Sequence, residues 1–267
     1  MRLHPVLLYL LLSLASVTAQ TAAPRALPVD SAAPPIVAPA DEPAPVAVPG
    51  GVNIRWYGHG FVYLTSSIGV RAAIDPFGPD SVHYKFPDGI ESDIVLITDE
   101  AEDHAAASRV LGNKLIFRSV TAVGLNRANG ISFYGVALQK DPSGQGLSNT
   151  AFVLTFDGVT FCYLGQINQP LLATEKQLLG HADVVFLPVG DSNLSVSELN
   201  QVVSDIGAKI IIPINYKTDF SGILPLRSLE DYVTQTKFPV RTFDTDDLII
   251  TKGMIPATPT IYALKSQ

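Results

Sequence analysis

The chain has 267 residues, a formal net charge of −7 and 47% hydrophobic residues. That length suits one large domain or two small ones. No Lys/Arg cluster runs along a face, so neither a nucleic acid nor an anionic membrane surface is an expected partner. A single cysteine, Cys162, excludes an internal disulfide.

The N-terminus reads as a targeting segment. Arg2 supplies the positive charge, Val6–Ala15 the apolar run, and Val17-Thr18-Ala19 a small-residue cleavage site. The run is shorter than the roughly 20 apolar residues of a spanning helix. The expectation is an exported protein, periplasmic or extracellular, with residues 1–19 as signal peptide. No cysteine follows the leader, which argues against a lipid anchor, and no other segment reads as transmembrane. Residues 20–50 are rich in Ala and Pro, a composition that favours an extended tether over a packed core. Residues 51–267 are then one folded domain.

Within that domain three antiparallel strands are expected first. They are Asn53–Tyr57, Phe61–Thr65 after the Gly58-His59-Gly60 turn, and Val70–Asp75. Asp93–Thr98 is a continuous apolar run, hence a buried strand. Ala151–Phe156 and Val159–Leu164 flank Asp157-Gly158, whose residues accept the positive φ values of a type I′ hairpin turn. Cys162 on that second strand reads as a small buried hydrophobe.

Helices and strands alternate thereafter. Leu171–Leu179 is predicted as a helix ending at Gly180, a glycine suited to the left-handed C′ position. Asp183–Leu187 is a strand. Ser195 and Glu198 form a capping box ahead of Val196, Leu199, Val202, Val203 and Ile206 at helical spacing. Lys209–Pro213 is another buried strand, Leu226–Thr236 a helix, and Val240–Phe243 and Leu248–Thr251 late strands. This pattern predicts two packed sheets flanked by helices.

The most informative stretch is Thr98-Asp99-Glu100-Ala101-Glu102-Asp103-His104, at the end of the Asp93–Thr98 strand. It resembles the Thr-His-x-His-x-Asp-His motif of the metallo-β-lactamase superfamily, with Asp99 and Ala101 in place of two histidines. Other segments carry the same resemblance in the same order. They are Ile54–His59, Ile74–Phe77, Leu164-Gly165-Gln166, Ala182–Gly190 and Ile212–Tyr216. Together they cover about residues 52–251 and are similar to the compact, single-domain, ascorbate-phosphate-lactonase-like branch. The resemblance implies an α+β four-layer αββα sandwich with two mixed sheets.

The resemblance also implies a ligand set. One metal of the pair would use positions 99 and 101, a histidine near Lys140 or Asp141, and a bridging carboxylate at Gln166. The second would use Asp103, His104, the bridge and position 215, which here is Asn215. Five of the seven family positions are replaced, leaving Asp103 and His104. Zinc sites are built from His, Cys and carboxylate ligands, normally at least three. The expectation is therefore a centre that has lost zinc hydrolysis, and a binding or envelope-associated module for a small molecule or an envelope protein.

A competing expectation is a hydrolase of esters, lactones or phosphoesters. Asp99, Asp103, His104 and Asp141, with Glu100 and Glu102 close by, would offer mainly oxygen donors to Mn²⁺, Mg²⁺ or Ca²⁺. His104 otherwise reads as a residue satisfying backbone groups at a helix start. His59 reads as ordering the loop after the first strand through its two ring nitrogens. Asp75 reads as a strand terminator that accepts loop N–H groups. Lys140 would replace a metal's charge or attract an anion, and His83 and His181 lie outside the ligand positions.

Overall fold

A computed structural model describes residues 50–139 and 149–265. The expected leader, nearly all of the tether, Lys140 and Asp141 lie outside these residues. Two mixed sheets face one another. In chain order the first half holds β1 (Val52–Trp56), β2 (Val62–Thr65), β3 (Arg71–Ile74), β4 (Ile94–Ile97), β5 (Leu115–Arg118), β6 (Gly124–Ala128) and β7 (Ile131–Leu138). Next come β8 (Asn149–Phe156), β9 (Val159–Tyr163), α1 (Ala173–Leu179), β10 (Val184–Pro188), α2 (Val196–Ile206) and β11 (Ile210–Ile214). The chain closes with α3 (Leu229–Val233), β12 (Val240–Thr242), β13 (Asp247–Ile250) and β14 (Thr260–Ala263). The six-stranded sheet runs β13-β1-β2-β3-β4-β5 and the eight-stranded sheet runs β12-β14-β11-β10-β9-β8-β7-β6. This is the two-sheet core of the expected αββα sandwich.

Alternation along β3 and β4 shows how the first sheet divides its burial. Ala72, Ile74, Ile94 and Leu96 face the core between the sheets, where they join Val52, Ile54, Leu64, Phe152 and Phe161. Ala73, Val95 and Ile97 belong to a second cluster with Phe61, Phe77, Tyr84, Phe86 and Ile90. Because β4 is buried on both faces, its sequence is an unbroken apolar run. The second cluster is supplied largely by the 77–90 loop, with rings such as Phe61 and Phe86 stacked at 5.3 Å. The turn Ala107–Arg109 stands where a helix was expected after the Asp103-His104 pair.

Local chemistry explains most boundaries. Asp157 and Gly158 take φ values of 49° and 76° and close the β8–β9 hairpin. The Ser195 hydroxyl accepts the Glu198 N–H to start α2, and Gly207 at φ 80° ends it. Leu199, Val202, Val203 and Ile206 of α2 are buried, each worth about 1.5–3 kcal/mol against exposure. Two expectations are corrected here. Gly180 has φ −60°, and the left-handed residue after α1 is instead His181 at φ 73°. The Leu226–Thr236 helix is confined to Leu229–Val233, started by Ser228 accepting the Asp231 N–H. Cys162 is buried on β9, and burial alone pushes its thiol up to about 12, as suits a small hydrophobe. Among the described residues no helix is long and apolar enough to cross a membrane.

Candidate functional site

The site lies where strands end: after β1, β3 and β4 of one sheet and after β9, β10 and β11 of the other. Loops leaving the carboxyl ends of parallel strands converge at such a place without disturbing the ladders. Three non-glycine residues there are left-handed: His59 at φ 47°, Asp75 at φ 49° and Asn215 at φ 52°. Each costs about 1–3 kcal/mol, a strain that concentrates at functional sites.

Asp75 organises one side. It is fully buried, its Oδ1 accepts the Thr98 N–H at 2.8 Å, and its Oδ2 accepts the Thr98 hydroxyl. The same Oδ2 lies 3.0 Å from Nδ1 of His104, which fixes the ring and turns Nε2 towards Asp103 Oδ2, 3.6 Å away. His104 thus bonds to a carboxylate rather than to backbone groups, and it sits in a turn, not at a helix start. Asp75 takes a loop N–H as expected and in addition grips this imidazole.

His59 stands on the other side of Asp103. Its Nε2 lies 3.0 Å from Asp103 Oδ2, and its ring centroid is 5.2 Å from that of His104. Loop ordering is done by its backbone carbonyl, which accepts Trp56 Nε1–H at 2.9 Å and the Asn215 N–H at 3.1 Å. The ligand atoms of His59, Asp103 and His104 all lie within 4.8 Å of one another. Sequence reasoning did not place His59 beside Asp103. The available signal was a histidine between two glycines at a strand end, where the backbone can approach closely.

The electrostatics follow from this packing. Burial works against the His104 imidazolium, but the hydrogen bond to Asp75 and the charges of Asp75, Asp103 and Asp191 outweigh it and push its pKa up to about 9. Burial also opposes ionisation of Asp103, yet the His59 hydrogen bond and the His104 charge bring it down to about 2.

The opposite wall is built of amides. Gln166 Nε2 donates to Asp191 Oδ2 at 2.8 Å. Asp191, on the loop after β10, is a pocket residue the sequence did not disclose. Asn215 is fully buried, and its Oδ1 and Nδ2 have no hydrogen-bond partner among the described residues. It packs on Gly60, where a Cβ would stand 3.0 Å from Asn215 Oδ1, 3.0 Å from Tyr163 Oη and 3.2 Å from His104 Nδ1. Any side chain at residue 60 would therefore fill the floor of the site. Tyr163 Oη donates to the Gly60 carbonyl at 2.6 Å and braces that floor. Asp99 is buried, with Oδ1 accepting the Ala101 N–H at 2.8 Å. Ala101 adds no donor side chain, and Glu100 is turned to Arg118. His83 packs by Gly222, and neither it nor His181 joins the cluster.

A two-sheet sandwich with a polar site across its strand ends defines a class of protein. Residues 53–215, more than half of the chain, match the model of the beta-lactamase superfamily domain, and the chain belongs to that family. Its fold is similar to a Thermotoga maritima protein assigned as a Zn-dependent hydrolase of the metallo-β-lactamase superfamily. The two share 24% identity at a TM-score of 0.65 over 81% of this chain and 100% of that one. A protein assigned as a metal-dependent hydrolase in Parabacteroides distasonis shares 20% identity at a TM-score of 0.53, over 69% of this chain and 89% of that one. A metallo hydrolase of Ignicoccus hospitalis shares 19% identity at 0.51, over 66% and 86%. No curated protein matches the chain.

The residues present do not fit the paired-metal centre that the resemblance implies. The position that the resemblance assigns to the bridge holds Gln166, which donates a hydrogen bond where two cations would need a shared anion. The position that the resemblance assigns to the final ligand holds the neutral amide of Asn215. The remaining cluster of two imidazoles and one carboxylate matches at most a single divalent ion.

Proposed function

We propose that this protein is a metallo-β-lactamase-fold binding module without zinc-dependent hydrolysis. The observation that carries the reading is Gln166 donating to Asp191 at the place of the bridging carboxylate. Without that anion two metal charges cannot be held close together, and the paired-metal route to an activated water is lost. Asp103 meanwhile engages His59 and His104. The N-terminal leader and the Ala/Pro-rich segment support export and tethering at the cell envelope.

Two measurements test it. Elemental analysis of protein purified without chelator should find zinc well below one ion per chain. Ester, lactone and phosphodiester substrates, with Zn²⁺, Mn²⁺, Mg²⁺ or Ca²⁺ added, should be turned over at background. Stoichiometric zinc that disappears in Asp103→Ala or His104→Ala would overturn the reading. For the leader, N-terminal sequencing of the exported protein should begin at Gln20, whereas retention in the cytoplasm would sink the export proposal.

A second reading rests on the convergence of His59, Asp103 and His104. Two imidazoles and a carboxylate suit a single transition-metal ion with open positions. That reading expects metal-dependent hydrolysis lost equally in His59→Ala and Asp103→Ala.

A further inference from the structure

The amide wall of the site invites a ligand. Asn215 is wholly buried with both amide atoms unpartnered, a condition that costs about 1–3 kcal/mol unless something completes it. Its Oδ1 and His104 Nδ1 lie 3.0 and 3.2 Å from the same point above Gly60, which sets the amide directly beside the His104 ring of the cluster. Around it stand acceptor-only groups. Asp103 keeps 19% of its side chain exposed, and Asp191 is half-buried with its charge felt at His104.

We propose that this pocket binds an organic cation, a primary ammonium or guanidinium group, with Asp103 and Asp191 as charge partners and the Asn215 carbonyl as neutral acceptor. The inference rests on the reading that the paired-metal centre is lost. An ammonium carries three donors and no acceptor, so it complements two carboxylates and an amide oxygen. It needs none of the imidazole lone pairs that a metal would require. An anionic ligand would face Asp75, Asp103 and Asp191 against the single imidazolium of His104. A neutral ligand would leave the one His104 ring to balance Asp75, Asp103 and Asp191 in a partly desolvated site, where charge pairing is stronger than in water.

The test is calorimetric titration of the full chain, assayed for metal on the same sample, with n-butylammonium, n-butylguanidinium, n-butanol and butyrate. Saturable binding of the two cations only, weakened at least ten-fold in both Asp191→Asn and Asn215→Leu, is the expected result. Asp191→Asn keeps an acceptor for Gln166, and thermal unfolding of each variant separates lost binding from lost fold. Equal binding of butanol, no binding of either cation, or unchanged affinity in Asp191→Asn would overturn the proposal. Stoichiometric zinc in the sample would instead remove the reading beneath it. A metal-free protein that ignores amines would remove this inference alone.

Discussion

The two walls of the site are built differently. On the Asp75 side both carboxylates are engaged, Thr98 and His104 on Asp75 and His59 on Asp103, and of these groups only His59 Nδ1 lacks a partner among the described residues. On the Asn215 side the amide, at a position where the resemblance expects a ligand, is left without a partner among the described residues, while Gln166 donates to Asp191. The first wall can stand without an ion because an imidazolium between carboxylates supplies positive charge internally. The second wall contributes little to its own stability, which is the signature of a surface shaped for something other than packing.

The comparison breaks most decisively by rebuilding the second wall. Gln166→Asp with Asn215→His would give four ligands of the expected kind together with Asp103 and His104. The double variant should take up one zinc per chain where the parent does not, a change worth up to about 10 kcal/mol of metal binding on the scale of structural zinc sites. Elemental analysis after dialysis reads it directly. A variant that stays metal-free while folded would mean that the Asp75 wall, too, has departed from ligand geometry.

Removing Asp75 attacks the first wall. Asp75→Ala strands a buried imidazole and two Thr98 donors together, so a loss of about 3–5 kcal/mol in urea unfolding is expected. Asp75→Asn, which keeps acceptor capacity, should lose less. Equal losses in the two variants would show that volume, not charge, is what Asp75 supplies.

Acidity probes the same wall more gently. The pKa of His104 is about 9 in the folded chain, above the roughly 6.5 of an unfolded histidine. Its contribution is thus fully present below about pH 6.5 and fades as pH rises through 9, amounting to about 3 kcal/mol. Asp103, at about 2 when folded, acts in the opposite sense. Its contribution is present above about pH 4 and fades as pH falls through 2. Unfolding free energy should therefore decline on both sides of about pH 4–6.5. His104→Asn should flatten the alkaline limb most and, by removing a charge that lowers Asp103, weaken the acid limb in part.

The sequence disclosed the parts of this molecule whose patterns are strong. β4, β10 and β11 are buried apolar runs, and Asp157-Gly158 marks its hairpin. β5 and β6 escaped notice for a physical reason. Leu115, Ile116 and Leu125 are exposed on strands at the sheet edges, and β6 mixes Gly124, Asn126 and Arg127 into five residues, so no clean period survives. β14 is only four residues long and follows Pro259 closely. Within the site, Asp103, His104, Gln166 and Asn215 could be found because a motif order pointed to them. The contact between His59 and Asp103 spans 44 positions, and Asp191 is a lone acid in a loop. Only the closure of the sandwich makes either one a neighbour of the pocket.

The smallest effect is the most discriminating between the walls. Replacing a satisfied buried amide by an apolar side chain of similar size strands its former partners and destabilises. Replacing an unsatisfied one removes a desolvated polar group and is neutral or favourable. Asn215→Leu should therefore raise unfolding free energy by up to about 1 kcal/mol, less if the left-handed backbone at φ 52° tolerates leucine poorly. The comparison Asn215→Gly, relieved of that backbone strain, isolates the amide from the φ cost. A gain in stability coupled to a loss of cation binding would show that Asn215 is kept at the expense of folding. A loss of stability in both variants would show that the amide is satisfied in solution, and the two walls would then be alike.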